Sequence, residues 1–261
     1  MITHVSGTGR PLVAIPGFGL DHHVMLPLED MVGDEPWRRL YFDLPWTAGA
    51  GWPDVRSTQG VADGVVAEVR VALGAEPFAI IGHSFGGMIA RFVAHELRDQ
   101  VLGLATIAGV VEADHARRVV PPRQVLRSDP GIVESAGQAR TEFEEDSVIQ
   151  TAETLAAFEA FVLPGLRNAD QSVLDRIAAD YALRIEPEVA HPLPFGAPSL
   201  HLFGRQDDVV GYEDGWALRD HYPRGTYAVL DAAGHGVHLE QRAITAALVR
   251  DWLDRMAAAV E

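Results

Sequence analysis

The sequence predicts an α/β protein with a mostly parallel central sheet and helices on both faces. Three observations carry that expectation. Short apolar runs of strand length alternate with stretches of helical periodicity, the pattern of strand–helix–strand units. A length of 261 residues with 48% hydrophobic and 22% charged content suffices for one large buried core. Between one apolar run and one helical pattern stands Gly82-His83-Ser84-Phe85-Gly86, a serine at a strand-to-helix junction.

The strand candidates, in order, are residues 12–15, 39–42, 78–81, 102–107, 199–203 and 227–230. The helix candidates are 60–73, 84–97, 212–221 and 241–258. After the serine, Met88, Ile89, Phe92 and Val93 recur at helical spacing, so the turn opens an amphipathic helix. In the last helix Ile244, Leu248 and Trp252 fall at i, i+4 and i+8, which predicts that this face packs on the sheet. Between residues 112 and 196 the alternation stops. That stretch holds prolines at 121, 122, 130, 164, 187, 192 and 194, helical patterns such as Leu155-Phe158-Val162 and Leu174-Ile177-Tyr181, and no clear strand. It reads as a helical cap inserted into a core made of residues 1–111 and 197–261.

Charge and composition narrow the function. A formal net charge of −16 leaves no basic patch with which to displace counterions, so nucleic acid and anionic membrane are not expected partners. With no cysteine there is no thiolate catalysis, disulfide or cysteine-ligated metal. The N-terminus lacks the basic and apolar regions of a signal peptide, and the longest apolar run, residues 101–111, is too short to span a bilayer. A cytoplasmic protein acting on a small molecule is the expectation, with its oligomeric state left open.

A serine hydroxyl is a weak nucleophile without an adjacent base, and the base needs a carboxylate to hold its tautomer. The elbow Gly-x-Ser-x-Gly makes Ser84 the candidate nucleophile, because Gly82 and Gly86 let the strand and helix backbones approach. His235, in Gly234-His235-Gly236 after the strand candidate 227–230, is the candidate base. His22 and His23, after a glycine-rich loop, are candidates to line a pocket; His95 reads as an exposed or dipole-complementing side chain. His238 raises a metal reading, but no acidic ligand stands near it at helical spacing. The polar loop Gly204-Arg205-Gln206-Asp207-Asp208 follows a strand and offers two carboxylates, only one of which can serve; Glu112 and Asp114 are the fallback. For an oxyanion, Phe85 supplies a backbone N–H at a helix start, and Phe18, in Pro16-Gly17-Phe18-Gly19, a second.

With these loops in this order, the chain resembles the α/β-hydrolase superfamily, in its capped serine esterase and meta-cleavage-product-hydrolase-like branch. The resemblance runs along nearly the whole chain and implies the α/β-hydrolase fold. It aligns the acid with Asp207 rather than Asp208 through Gly204-x-x-Asp207-x-x-Val210, matches Gly234, His235 and Glu240, and supports Phe18 as oxyanion donor. Glu240 takes a structural role at a helix start. Two departures stand out: Pro16 replaces the family's histidine before the glycine, and the loop 43–52 is altered and carries Trp46 and Trp52 as candidates to face the site. The short N-terminal strands imply a sheet without the family's usual first strand.

The expected function is cofactor-independent and metal-free hydrolysis of a small to medium carboxylic ester or lactone through an acyl-enzyme on Ser84. The same residues fit hydrolysis of a carbon–carbon bond in a vinylogous diketone. A non-catalytic ligand-binding module of the same fold is the alternative outside enzymology.

Overall fold

The computed structural model describes residues 1–257. The strands are β1 (Ile2–Ser6), β2 (Arg10–Ile15), β3 (Trp37–Phe42), β4 (Phe78–His83) and β5 (Val101–Ile107), then the two-residue β6 (Arg127–Ser128) and β7 (Ile149–Gln150), then β8 (Ser199–Gly204) and β9 (Gly225–Leu230). Seven form one sheet in the order β1-β3-β2-β4-β5-β8-β9. β1 runs antiparallel to β3, and every other neighbouring pair is parallel. From β2 the chain goes to one side of the sheet and from β4 to the other. The crevice beyond the carboxyl ends of β2 and β4 is therefore a topological switch point, where open α/β sheets take their ligands.

Side-chain alternation divides the core between the two faces. Leu12 and Ala14 of β2 join the apolar cluster that includes Trp252 and Met256 of the C-terminal helix Arg242–Ala257. Val13 and Ile15 join the cluster under the helices Thr58–Leu73 and Phe85–Glu96. β2 and β4 are apolar at successive positions because both of their faces are covered. Each large side chain so buried contributes about 1.5–3 kcal/mol. Ser57 caps the helix Thr58–Leu73 by accepting from the Gly60 N–H at 3.1 Å.

Three sequence expectations need correction. β1, which no strand candidate covered, has no apolar run, since Thr3, His4 and Val5 are exposed on an edge strand; it pairs with β3 through the backbone, aided by Thr3 Oγ1 donating to the Tyr41 carbonyl and Arg39 Nη2 to Ser6 Oγ, and no strand lies outside it among the described residues. The sheet-facing stripe of the last helix is Thr245, Val249, Trp252, Leu253 and Met256, while Ile244 is 49% exposed. A step of four residues overshoots a full helical turn by about 40°, so an i, i+4, i+8 row drifts off the contact face that the i, i+4, i+7 row keeps. Residues 112–196 are mostly helical, with Pro130–Ser135, Arg140–Asp146, Ala152–Phe161, Leu163–Asn168, Gln171–Ala178 and Pro187–Ala190, but they also contain the parallel β6–β7 pair. Among the described residues no helix is long and apolar enough to cross a membrane.

Candidate active site

β4 ends at His83 and a helix begins at Phe85, which leaves Ser84 at the bend with φ 54° and ψ −119°. A non-glycine residue rarely holds that backbone, and it persists here because neighbours determine it. The Ser84 N–H donates to the Ile107 carbonyl at 2.9 Å, and the Ser84 carbonyl accepts from Gly87 at 2.9 Å and Val110 at 3.0 Å. Backbones cross closely at the bend: a Cβ on Gly82 would lie 2.0 Å from the Gly86 carbonyl oxygen, and one on Gly86 2.3 Å from that of Ile15. Gly17 is constrained by side chains instead, its Cβ position lying 2.9 Å from His83 Nδ1 and 3.3 Å from Ser84 Cβ.

His235 Nδ1 lies 3.0 Å from Asp207 Oδ2. Asp207 is fully buried, and its other oxygen accepts the Val209 and Val210 N–H groups, each at 2.9 Å. Burial pushes the carboxyl's pKa up, but the His235 charge and these hydrogen bonds outweigh it and hold the pKa below its ordinary value. For His235 burial favours the neutral ring, yet the Asp207 carboxylate prevails and raises its pKa above 6.5, with help from Asp146. Glu240 accepts from the Gly234 N–H at 2.6 Å and, through its other oxygen, from Val148 and Ile149 at 2.7 and 2.9 Å. It thereby couples the histidine loop to β7.

Ser84 and His235 line one cavity of about 860 Å³, with Gly17 and Phe18 on its wall. Phe85 N–H is the first of its helix and has no intrahelical acceptor. The Phe18 ring packs 5.5 Å from Phe85, 5.4 Å from Tyr181 and 4.9 Å from Trp46, centroid to centroid. Trp46 Nε1 donates to the Leu20 carbonyl at 2.8 Å, which fixes the turn that carries Phe18.

The remaining candidates go elsewhere. Asp208 faces Arg123 at 3.5 Å, Glu112 pairs with Arg117, and Asp114 lines the cavity without contacting His235 Nδ1. His22 and His23 hold Asp43 and Asp21, each at 2.9 Å, and do not line the cavity; their ring nitrogens and Asp21 lie close together, but these hydrogen bonds account for the cluster. His95 is buried rather than exposed and bonds the Arg91 carbonyl and His221. His238 does line the cavity, with its Nε2 on the Val24 carbonyl at 3.0 Å, and burial lowers its pKa to about 4. Neither tryptophan of the loop 43–52 lines the cavity: Trp46 backs Phe18, and Trp52 packs on Gly64 with its Nε1 on the Asp43 carbonyl. Among the charged lining residues not expected from sequence are Asp146 and Arg118. Both sit in charged stretches (142–146 and 112–118) that read as solvated surface until folding turns them inward.

Residues 11–241 match the family described as alpha/beta hydrolase fold. The chain is 26% identical over 259 residues to a pimeloyl-[acyl-carrier protein] methyl ester esterase of Shewanella woodyi, covering 95% of this chain and 96% of that one. It is 24% identical over 254 residues to the protein of the same name from Neisseria meningitidis, with 94% of each chain covered. An alpha/beta superfamily hydrolase from Oenococcus oeni superposes with a TM-score of 0.90 at 26% identity, over 97% of this chain and 95% of that one. The family match spans both halves of the sheet and both loops that face the serine, and the chain belongs to the α/β-hydrolase fold family.

Proposed function

We propose that this protein is a serine hydrolase of carboxylic esters, with Ser84 as nucleophile, His235 as base and Asp207 as the carboxylate that orients it. The observation that carries the reading is the meeting of a serine held at φ 54° with an Asp207-bound imidazole on one cavity wall. Ser84 Oγ attacks the ester carbonyl while His235 Nε2 takes its proton. The N–H groups of Phe18 and Phe85 hold the oxyanion. The carbon–oxygen bond then breaks, and the alcohol leaves with the proton from His235. Water, deprotonated by the same imidazole, attacks the acyl-enzyme, releases the acid and restores Ser84. In this reading residues 112–196 act as a cap over the switch point, since Val162, Leu166 and Tyr181 from that segment form the apolar roof of the cavity.

Two relatives named as pimeloyl-[acyl-carrier protein] methyl ester esterases support an ester as substrate. The cavity volume suits a small to medium acyl chain. A fluorophosphonate probe tests the nucleophile. Wild type is expected to label stoichiometrically and Ser84→Ala, folded by circular dichroism, not at all; labelling of that variant overturns the reading. A panel of p-nitrophenyl esters set beside a meta-cleavage product separates the ester reading from carbon–carbon hydrolysis, which would show as turnover of the diketone alone.

A further inference from the structure

Asp146 closes the helix Arg140–Asp146 and lines the same cavity as Ser84 and His235, where it is half-buried. Its Oδ2 lies 3.6 Å from the point where a Cβ on Gly236 would stand, so the carboxylate rests on the residue that follows His235. Its charge reaches the imidazole, whose pKa it helps to raise. Among the described residues only the adjacent Ser147 hydroxyl donates to it, and no cation pairs with it. The two nearby guanidinium groups are committed elsewhere. Arg123 faces Asp208 at 3.5 Å and donates to the Glu144 and Ser147 carbonyls. Arg118 donates to the Glu112 and Val209 carbonyls at 2.8 and 3.0 Å and meets His115 Nδ1, and its Nη2 is shut off from the cavity. The carboxylates beside Asp146 are better supplied: Asp207 accepts from His235 and two N–H groups, and Glu240 from three. Burial is the largest influence on the Asp146 pKa and raises it, the sign of an anion short of partners. A carboxylate enclosed without a counter-charge is costly, and a cation entering the cavity relieves that cost.

We infer that Asp146 is the specificity-determining residue of this cavity and receives an ammonium group carried on the alcohol half of the substrate. The side follows from the chemistry. His235 hands its proton to the departing oxygen, so the alcohol half lies along the histidine loop, and Asp146 rests on that loop. The class implied is the carboxylic ester of a short amino alcohol. One water hydrolyses it: the acyl carbon–oxygen bond breaks, the acyl carbon takes the hydroxyl, the alcohol oxygen takes the proton, and the ammonium is unchanged. Asp114, Glu142 and Glu145 on the same lining add a field of the same sign, which favours a cation and disfavours an anionic ester. The inference rests on the ester-hydrolase reading for the reaction, but not for the binding.

The test sets 2-(dimethylamino)ethyl butyrate, protonated at neutral pH, beside 3-methylbutyl butyrate, the uncharged ester of the same shape. Their ratio of kcat/KM is the readout, because any change in the His235 pKa is common to both and cancels. The full chain is expected to prefer the amino ester roughly tenfold or more, chiefly through KM. Asp146→Asn is expected to bring the ratio near one, and Asp146→Glu to keep part of it. Methyl 4-(dimethylamino)butanoate, with its cation on the acyl half, is expected to gain nothing over methyl 5-methylhexanoate. Equal rates on the first pair overturn the inference, and so does an equal preference on the acyl-side pair. An equal loss on both butyrates in Asp146→Asn also overturns it, since that would mark a strut between the helix Arg140–Asp146 and the histidine loop. Binding is read separately by calorimetric titration of Ser84→Ala with the two butyrates, where equal affinity again overturns the inference. If the amino ester binds through Asp146 but no ester is turned over, the hydrolase reading fails and the cation site stands.

Discussion

Three histidines sit around Ser84, and only one has a carboxylate. His83 packs between His235 and His238, with ring centroids 5.0 and 4.9 Å away. Burial keeps His83 and His238 neutral, each with its pKa lowered. His235 alone is raised, which gives the pH dependence a definite sign. A general base works as the neutral ring, so the acid limb of kcat/KM should lie above pH 6.5, the ordinary imidazole value. Asp207→Asn should cost about 10²–10⁴ in kcat, because the imidazole loses both its tautomer lock and the anion that stabilises its charged form. Asp146 acts on the same ring from a distance and without a hydrogen bond to it. Asp146→Asn removes an anion that favours imidazolium, so the acid limb should move to lower pH with the reaction otherwise preserved. A pH–rate profile checks both, and a limb that moves upward in Asp146→Asn contradicts the assigned sign.

Among the elements, the elbow is held by contact between backbones rather than by side-chain bonds. The Gly86 Cβ position falls 2.3 Å from the Ile15 carbonyl oxygen, a clash with strand backbone that no rotamer relieves. Gly86→Ala should therefore destabilise by about 1–3 kcal/mol, read from urea unfolding, and should lower activity further than that loss explains by displacing Ser84 and the Phe85 N–H together. Gly33, where a Cβ meets nothing within 4 Å, has a positive φ of 61°. Substitution there costs only local backbone strain and makes a fair control. The elbow was legible in the sequence because its glycine spacing is local. Its partner loop was less so: Pro16 stands where the family's histidine is usual, and it is the aromatic packing of Phe18 against Trp46, Phe85 and Tyr181 that holds that loop in place.

At the scale of the whole molecule, Arg91 ties distant parts of the chain together. It leaves the helix Phe85–Glu96 to meet Glu188 at 2.6 Å and Glu186 at 3.1 Å, and it donates to the Val110 carbonyl at 2.9 Å; the Tyr222 hydroxyl donates to the same Glu188. Glu188→Ala leaves the buried guanidinium with Glu186 as its remaining counter-charge and should cost about 3 kcal/mol, the low end for breaking a buried pair. Arg91 holds the Glu188 carboxyl well below its ordinary pKa of 4.5, so the pair's contribution is complete above that pH and is lost as the pH falls beneath it. The gap in stability between wild type and Glu188→Ala should accordingly be widest at neutral pH and narrow in acid, as unfolding midpoints across pH would record. By itself the sequence determined what is local: six strands of the main sheet through their apolar runs, the helices that follow four of them, the strained serine turn, and Asp207 and His235 as loop residues at strand ends. Tertiary structure decided what depends on packing from far along the chain. It paired the polar edge strand β1, rotated Ile244 out to solvent, buried His95, and set Trp46 behind the cavity wall rather than on it. It also turned Asp146 and Arg118 inward from charged stretches that no local period distinguishes from surface. Periodicity reports which face of an element is covered, but only the assembled sheet and the segment 112–196 decide which charged side chains are enclosed with Ser84.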